Sequence, residues 1–287
     1  MTCNQFICQL LYISYIYRLI YWGFILLARQ ILTSDIKKSK NRVSIVTGGA
    51  RGIGRGCALK LAAEGSSIAL VDLLSVELER TKSEIEGLGV QCLTFIADVM
   101  DHKRAKDIAA EVIKNWGRID VLVNNAGKAN PKGILEITEK EYDTTMNINL
   151  KSCFNYIQAV APFMLEAKWG RIISMSSLNA HSGGVTAAVS RFSYTSAKAG
   201  ILGMTRALAK ELGPDILVNA VCPGLIKTEI TKNAVIAERE PELVKGIALK
   251  RVGTPTDVAE LVCFLALSEP NFITGQDITI DGFQWNR

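Results

Sequence analysis

Histidine is nearly missing from this chain: two residues, His102 and His181, among 287. No H-E-x-x-H occurs, and the seven cysteines (3, 8, 57, 92, 153, 222 and 263) contain no C-x-x-C pair. Those absences remove the familiar zinc-binding patterns, so no metal site is expected. The cysteines are odd in number and scattered. They read as reduced thiols of a cytosolic protein, and Cys153 and Cys222 read as packing residues rather than nucleophiles. Low-complexity tracts, internal repeats and long linkers are also missing. Unbalanced charge is confined to one end. Of the net +5, the first 41 residues account for +4, with Arg18, Arg29, Lys37, Lys38 and Lys40 against Asp35 alone. The nearly neutral remainder lacks the basic face of a nucleic-acid binder.

What is present falls into two parts. Residues 1–41 form an apolar extension that includes "FICQLLYISYIYRLIYWGFILLARQIL" from Phe6 to Leu32, with four of the seven tyrosines. The stretch 6–28 has the length of a bilayer span. Arg18 in its middle costs about 2.5–3.5 kcal/mol on the insertion scale, against about −0.3 to −0.6 for each apolar residue. The lysines that follow would then place the rest of the chain in the cytoplasm. A secretory signal peptide is disfavoured, because charges before the run and a small-residue cleavage site after it are lacking. The alternative is an extension outside the working protein. With 48% hydrophobic and 21% charged residues, the chain can bury a sizeable core. Residues 42–287 are expected to form one domain.

Within that domain the pattern alternates. "RVSIVTGG" is a β-branched run followed by a helical pattern through "GRGCALKLAAEG". Then come "SSIALVDLL", a helix near 75–86, "VQCLTFIADV", a helix near 103–116, and "IDVLVNNAG". Further strands are expected at "GRIISMSS", "ILVNAVCPG" and "QDITIDG". Strands separated by helices of this length predict an α/β fold, a doubly wound parallel sheet of Rossmann type.

The first strand-to-helix turn is "TGGARGIG", Thr47 to Gly54. Glycine lets backbone approach a diphosphate closely, and the helix that follows offers unpaired N–H groups to the anion. Asp72 closes the second strand, where an acid can accept hydrogen bonds from an adenosine ribose. Together they predict a dinucleotide site. Far downstream, "FSYTSAKAG" places Tyr194 and Lys198 one helical turn apart, on one helix face.

These residues resemble the short-chain dehydrogenase/reductase family over nearly all of 42–287. The resemblance is carried by T-G-x-x-x-G-x-G as Thr47, Gly48, Gly52 and Gly54, Asp98–Val99, N-N-A-G as Asn124 to Gly127, and Asn149 in "NINLKS". It continues through Ser177 in "IISMSS", Y-x-x-x-K as Tyr194 and Lys198, and Pro223–Gly224 with Thr228. It implies a hydride-transfer enzyme acting on a small-molecule secondary alcohol or ketone, similar to 3-oxoacyl-ACP reductases, and a homotetramer. Sugar, polyol and hydroxy-acid dehydrogenases share the motifs. A catalytically silent nucleotide sensor is the alternative of another class. The implied cofactor contacts are Thr47, Gly48, Arg51, Gly52, Ile53, Gly54, Asp72, Asp98, Val99, Asn125, Tyr194, Lys198, Pro223, Gly224 and Thr228.

An unassisted tyrosine is a poor base near neutrality. A nearby ammonium and a bound nicotinamide ring both favour the phenolate. The resemblance thus implies that Tyr194 exchanges a proton with the substrate oxygen and that Lys198 also holds the nicotinamide ribose. It further implies that Ser177 positions that oxygen and that Asn149 anchors a proton-relay water. Asn149 could alternatively satisfy helix backbone groups, and Asp98 could cap the helix after it. His102 is expected in a solvated loop. Ser177 lies seventeen residues before Tyr194, where family members commonly have about thirteen, so the adjacent Ser176 competes for its role. His181 and Arg191 fall in that longer loop and read as solvated, with contact to an anionic substrate as the alternative. Residues 228–249 are expected to cover the substrate. Asp72 favours NAD over NADP by repelling a 2′-phosphate, while Arg51 pulls the other way.

Overall fold

The computed structural model describes residues 21–23, 41–184, 191–228 and 240–284. The chain divides into two units, Met1–Lys40 and Asn41–Arg287. Apart from residues 21–23, the apolar stretch 6–28 lies outside the described residues, as do 229–239 of the expected substrate cover. Among the described residues no helix is long and apolar enough to cross a membrane.

The second unit is built on seven parallel strands in the order β3-β2-β1-β4-β5-β6-β7. These are β1 (Val43–Thr47), β2 (Ser67–Asp72), β3 (Cys92–Ile96), β4 (Val121–Asn124), β5 (Gly170–Met175), β6 (Ile216–Pro223) and β7 (Asp277–Ile280). All residues of β1, β4 and β5 are buried, which is what a sheet covered on both faces requires of its central strands. Strand order reverses between β1 and β4, and ligands of such folds bind beyond the strand ends at that point.

Helices α1 (Gly52–Ala63), α2 (Ser75–Glu86) and α3 (His102–Trp116) follow the first three strands, as the sequence pattern predicts. After β4 come α4 (Glu139–Met146), a π-helical turn (Asn147–Lys151) and α5 (Ser152–Glu166). A short α6 (Asn179–Ser182), the long α7 (Phe192–Leu212) and α8 (Pro255–Leu267) complete the set used below. Apolar side chains form two buried clusters. One gathers residues of α3, α5 and α7 around Tyr156 and Met164, the other residues of α1, α2 and α8 around Leu61 and Leu78.

Two local expectations change. The cap of α3 is Asp101, whose Oδ1 accepts from Arg104 N at 2.9 Å, while Asp98 accepts instead from Met100 N. His102 is not in a loop. It opens α3, stacks on Phe154 at 5.7 Å and approaches Gln158 Oε1 at 2.7 Å.

At the amino-terminal edge of the sheet, Asp120 is buried and accepts from Val43 N (2.8 Å), Arg42 (3.0 Å) and Arg118 (2.7 and 2.6 Å). Trp169 lies between the Arg42 and Arg171 guanidinium groups, at 3.6 and 4.2 Å. Trp169 and Arg171 both donate to Glu269 Oε1. Removing the Asp120 carboxylate leaves the buried Val43 N–H unmatched and takes the common acceptor from Arg42 and Arg118. Asp120→Ala should therefore lower unfolding stability by about 3 kcal/mol in urea titration.

Candidate active site

The carboxyl ends of the central strands open into one cleft with a volume of about 900 Å³, the size of a large ligand pocket. Its floor is set by a stitch between β1 and β4. Thr47 Oγ1 accepts from Asn125 N (3.0 Å) and Ala126 N (3.2 Å). In return, Asn125 Nδ2 donates to Thr47 O (3.1 Å) and Gly48 O (3.0 Å). Gly48 adopts φ +65, a conformation that favours glycine. A Cβ on Gly54 would lie 2.0 Å from Gly48 O and 2.4 Å from Asn125 Nδ2. Gly48 and Gly54 therefore have no room for side chains, and the turn brings the start of α1 to the cleft wall, where a helix amino terminus can face an anion.

Gly48, Arg51, Gly52, Ile53, Asp72, Asp98, Val99, Asn125, Ser177, Tyr194, Lys198, Pro223, Gly224 and Thr228 all line this cleft. Thr47, Gly54 and Asn149 stand behind it and shape it. Asp72 is held by Ala50 N on Oδ2 (3.1 Å) and by Leu73 N and Leu74 N on Oδ1 (2.7 and 3.2 Å). Oδ2 keeps a lone pair for a ribose hydroxyl. The glycine turn and this carboxylate fit a dinucleotide, which when bound supplies or takes the hydride.

At the other end of the cleft, Tyr194 occupies the first turn of α7 and Lys198 the next. Lys198 is buried, its Nζ lies 5.5 Å from the Tyr194 ring centre, and it donates to Met175 O at 2.7 Å. Ser176 Oγ donates to Lys198 O at 2.8 Å and is buried. Both serines line the cleft, but that bond commits the Ser176 hydroxyl to the helix, whereas Ser177 Oγ accepts from Asn179 N at 3.2 Å and keeps its own proton to donate. Burial pushes the Cys222 thiol up to about 11 and raises that of Cys153, in keeping with packing roles.

Asn149 is fully buried. Its Nδ2 donates to Thr145 O and Lys128 O, both at 2.9 Å, and its Oδ1 accepts from Lys128 N at 3.0 Å. Neither His181 nor Arg191 lines the cleft. His181 Nε2 pairs with Asp277 Oδ2 at 2.9 Å, and Arg206 holds the other carboxylate oxygen. Cys222 brings a third possible metal ligand within 4.8 Å of that pair. The guanidinium on Asp277 and the raised thiol both work against a cation there. Sequence reasoning missed Lys128 and Gln284, which also line the cleft. Gln284 Oε1 accepts from Leu225 N at 3.0 Å, a contact that no local pattern announces.

Known proteins agree with this geometry. A family profile described as Enoyl-(Acyl carrier protein) reductase matches residues 48–282. The 3-oxoacyl-(acyl-carrier-protein) reductase FabG of Thermotoga maritima is 38% identical over 244 residues, 85% of this chain and 97% of the relative. Oxidoreductase UcpA of Salmonella typhimurium is 35% identical, covering 85% and 95%. A putative short-chain alcohol dehydrogenase from Sinorhizobium meliloti superposes with a TM-score of 0.79 at 32% identity, covering 85% and 96%. Carveol dehydrogenase from Mycobacterium avium, solved in complex with NAD, gives 0.80 at 26% identity, covering 86% and 98%. The chain belongs to the short-chain dehydrogenase/reductase family. It is an NAD(P)-dependent oxidoreductase.

Crowding at the turn gives a direct check. Gly54→Ala should weaken NADH binding by about tenfold or more, or about 1.4 kcal/mol. Fluorescence titration reads this, with circular dichroism unchanged.

Proposed function

We propose that the protein interconverts a secondary alcohol and a ketone, with Tyr194 as the proton donor and acceptor. The observation that carries this reading is the buried Lys198 ammonium beside the Tyr194 ring, with Ser177 facing the same space. In reduction the carbonyl carbon gains a hydride, and its oxygen takes the Tyr194 proton, which solvent then replaces. Ser177 Oγ donates to that oxygen and fixes its position. Lys198 offers positive charge to the phenolate left behind, since among the described residues it pairs with no carboxylate. Asn149 acts as a positioning residue, because its side chain is spent on the Lys128 main chain rather than on the cleft. A silent nucleotide sensor has no need of this arrangement. The FabG relatives are named for 3-oxoacyl substrates, and a 3-oxoacyl ketone is compatible with the same step.

NAD is the favoured cofactor in this reading. The Asp72 carboxylate, fixed by three backbone N–H groups, faces the place where a 2′-phosphate would sit. Arg51 lines the same cleft and offers the opposing attraction. A homotetramer is part of the proposal. It is supported by apolar side chains left exposed on two helices, Phe154 and Leu165 on α5 and Phe264 on α8.

Tyr194→Phe should lower kcat by about 10³-fold while NADH affinity stays within about twofold; turnover that survives this change rules out the assigned proton donor. NADH should bind at least about tenfold tighter than NADPH, and Asp72→Ser should erase most of that gap. Tighter binding of NADPH by the unaltered protein would show that Arg51 governs the pocket. Sedimentation equilibrium should give a four-chain species, and a monomer would remove the oligomer from the proposal.

A further inference from the structure

Charge is unevenly placed along the cleft. Its two carboxylates, Asp72 and Asp98, close β2 and follow β3 and both accept hydrogen bonds from backbone N–H groups, and the Arg51 guanidinium lines the cleft as well. Beside Tyr194 and Ser177 the charged lining residues are both cations, Lys198 and Lys128. Lys198 is buried and committed to Met175 O. Lys128 differs in every respect: its main chain is locked and its side chain is exposed.

The lock is Asn149. One fully buried amide accepts from Lys128 N and donates to Lys128 O, and its second N–H is anchored on Thr145 O in the preceding turn. Satisfying both polar groups of one exposed residue with one buried side chain fixes where the Lys128 stem begins. Its neighbour in the chain, Gly127, lies against Lys198. A Cβ on Gly127 would lie 3.4 Å from Lys198 Nζ and 2.8 Å from Asn149 Oδ1. Other lysines nearby are neutralised, Lys132 by Glu141 and Lys227 by Glu240. Among the described residues, Lys128 has no carboxylate partner. An ammonium on a flexible stem acts as a point charge and suits a single carboxylate.

We propose that Lys128 is the anion receptor of the substrate pocket and that the substrate is a small oxo- or hydroxy-carboxylate. Its carboxylate lies within two or three bonds of the carbon that exchanges the hydride. This rests on the reading of Tyr194 and Ser177 as the groups that handle the carbonyl oxygen. It separates a hydroxy-acid dehydrogenase from a reductase of neutral 3-oxoacyl thioesters, whose anionic groups lie far from the reacting carbon.

The test compares acetoacetate and 2-oxobutyrate with their methyl esters, using the full-length enzyme and NADH. The unaltered enzyme should prefer the acids. Lys128→Met should lower kcat/KM for the acids about 30-fold more than for the esters, chiefly through KM, and Lys128→Arg should recover part of the loss. Calorimetric binding of acetoacetate to the enzyme–NAD⁺ complex, which has no hydride to give, provides a readout independent of turnover, and it should vanish in Lys128→Met. Equal losses for acids and esters, or unchanged acetoacetate binding, overturns the proposal. So does an unaltered enzyme that turns over a 3-oxoacyl thioester but neither acid, and that outcome leaves hydride transfer standing. Loss of all turnover in Tyr194→Phe, with acetoacetate binding retained, shows that the two readings stand separately.

Discussion

The stitch between Thr47 and Asn125 is the contact on which the site depends. Parallel strands diverge where their order reverses, and a crevice at that point needs edges that do not close or drift. One hydroxyl accepts from two successive backbone N–H groups, and one amide donates to two successive carbonyls. The loop after β4 is thereby held against the turn after β1. Both side chains fix the crevice walls at hydrogen-bond distance and hold the glycine turn in place ahead of α1. The buried Asp120 does comparable work at the opposite edge of the sheet, gathering two guanidinium groups and a backbone N–H.

Most of this was legible in the chain. The alternation of short apolar runs with amphipathic segments predicted every strand of the sheet, because burial on both faces leaves few polar positions in β1, β4 and β5. The glycine turn, Asp72 and the Tyr194–Lys198 pair were readable because each depends on spacing within one element. What could not be read depends on contacts between elements. Which of Ser176 and Ser177 has its hydroxyl committed elsewhere depends on a carbonyl on α7. The importance of Lys128 comes from an amide 21 residues later, in a π-helical turn that no side-chain pattern announces. The pairing of His181 with Asp277 joins segments far apart in the chain and takes that imidazole out of the loop in which it seemed to belong.

Electrostatics in the cleft follow from who is already bonded. Asp72 and Asp98 are anchored by N–H groups, and Arg51 lines the cleft as well. At the reacting end the positive groups are unmatched by any described acid, which suits a phenolate and an anionic substrate alike. In the proposed reaction the one field would serve both proton transfer and recognition.

Two bonds cross between the end of β5 and α7: Ser176 Oγ to Lys198 O, and Lys198 Nζ to Met175 O. They short-circuit the loop that separates Ser177 from Tyr194. The register of Ser177 against Tyr194 and Lys198 is thus set by strand and helix, not by the length of chain between them. Four residues beyond the usual family spacing can be accommodated there without displacing these side chains. That loop is in effect an interchangeable part. Grafting longer or shorter versions onto this scaffold would redraw the pocket's outline while leaving the reaction centre in place.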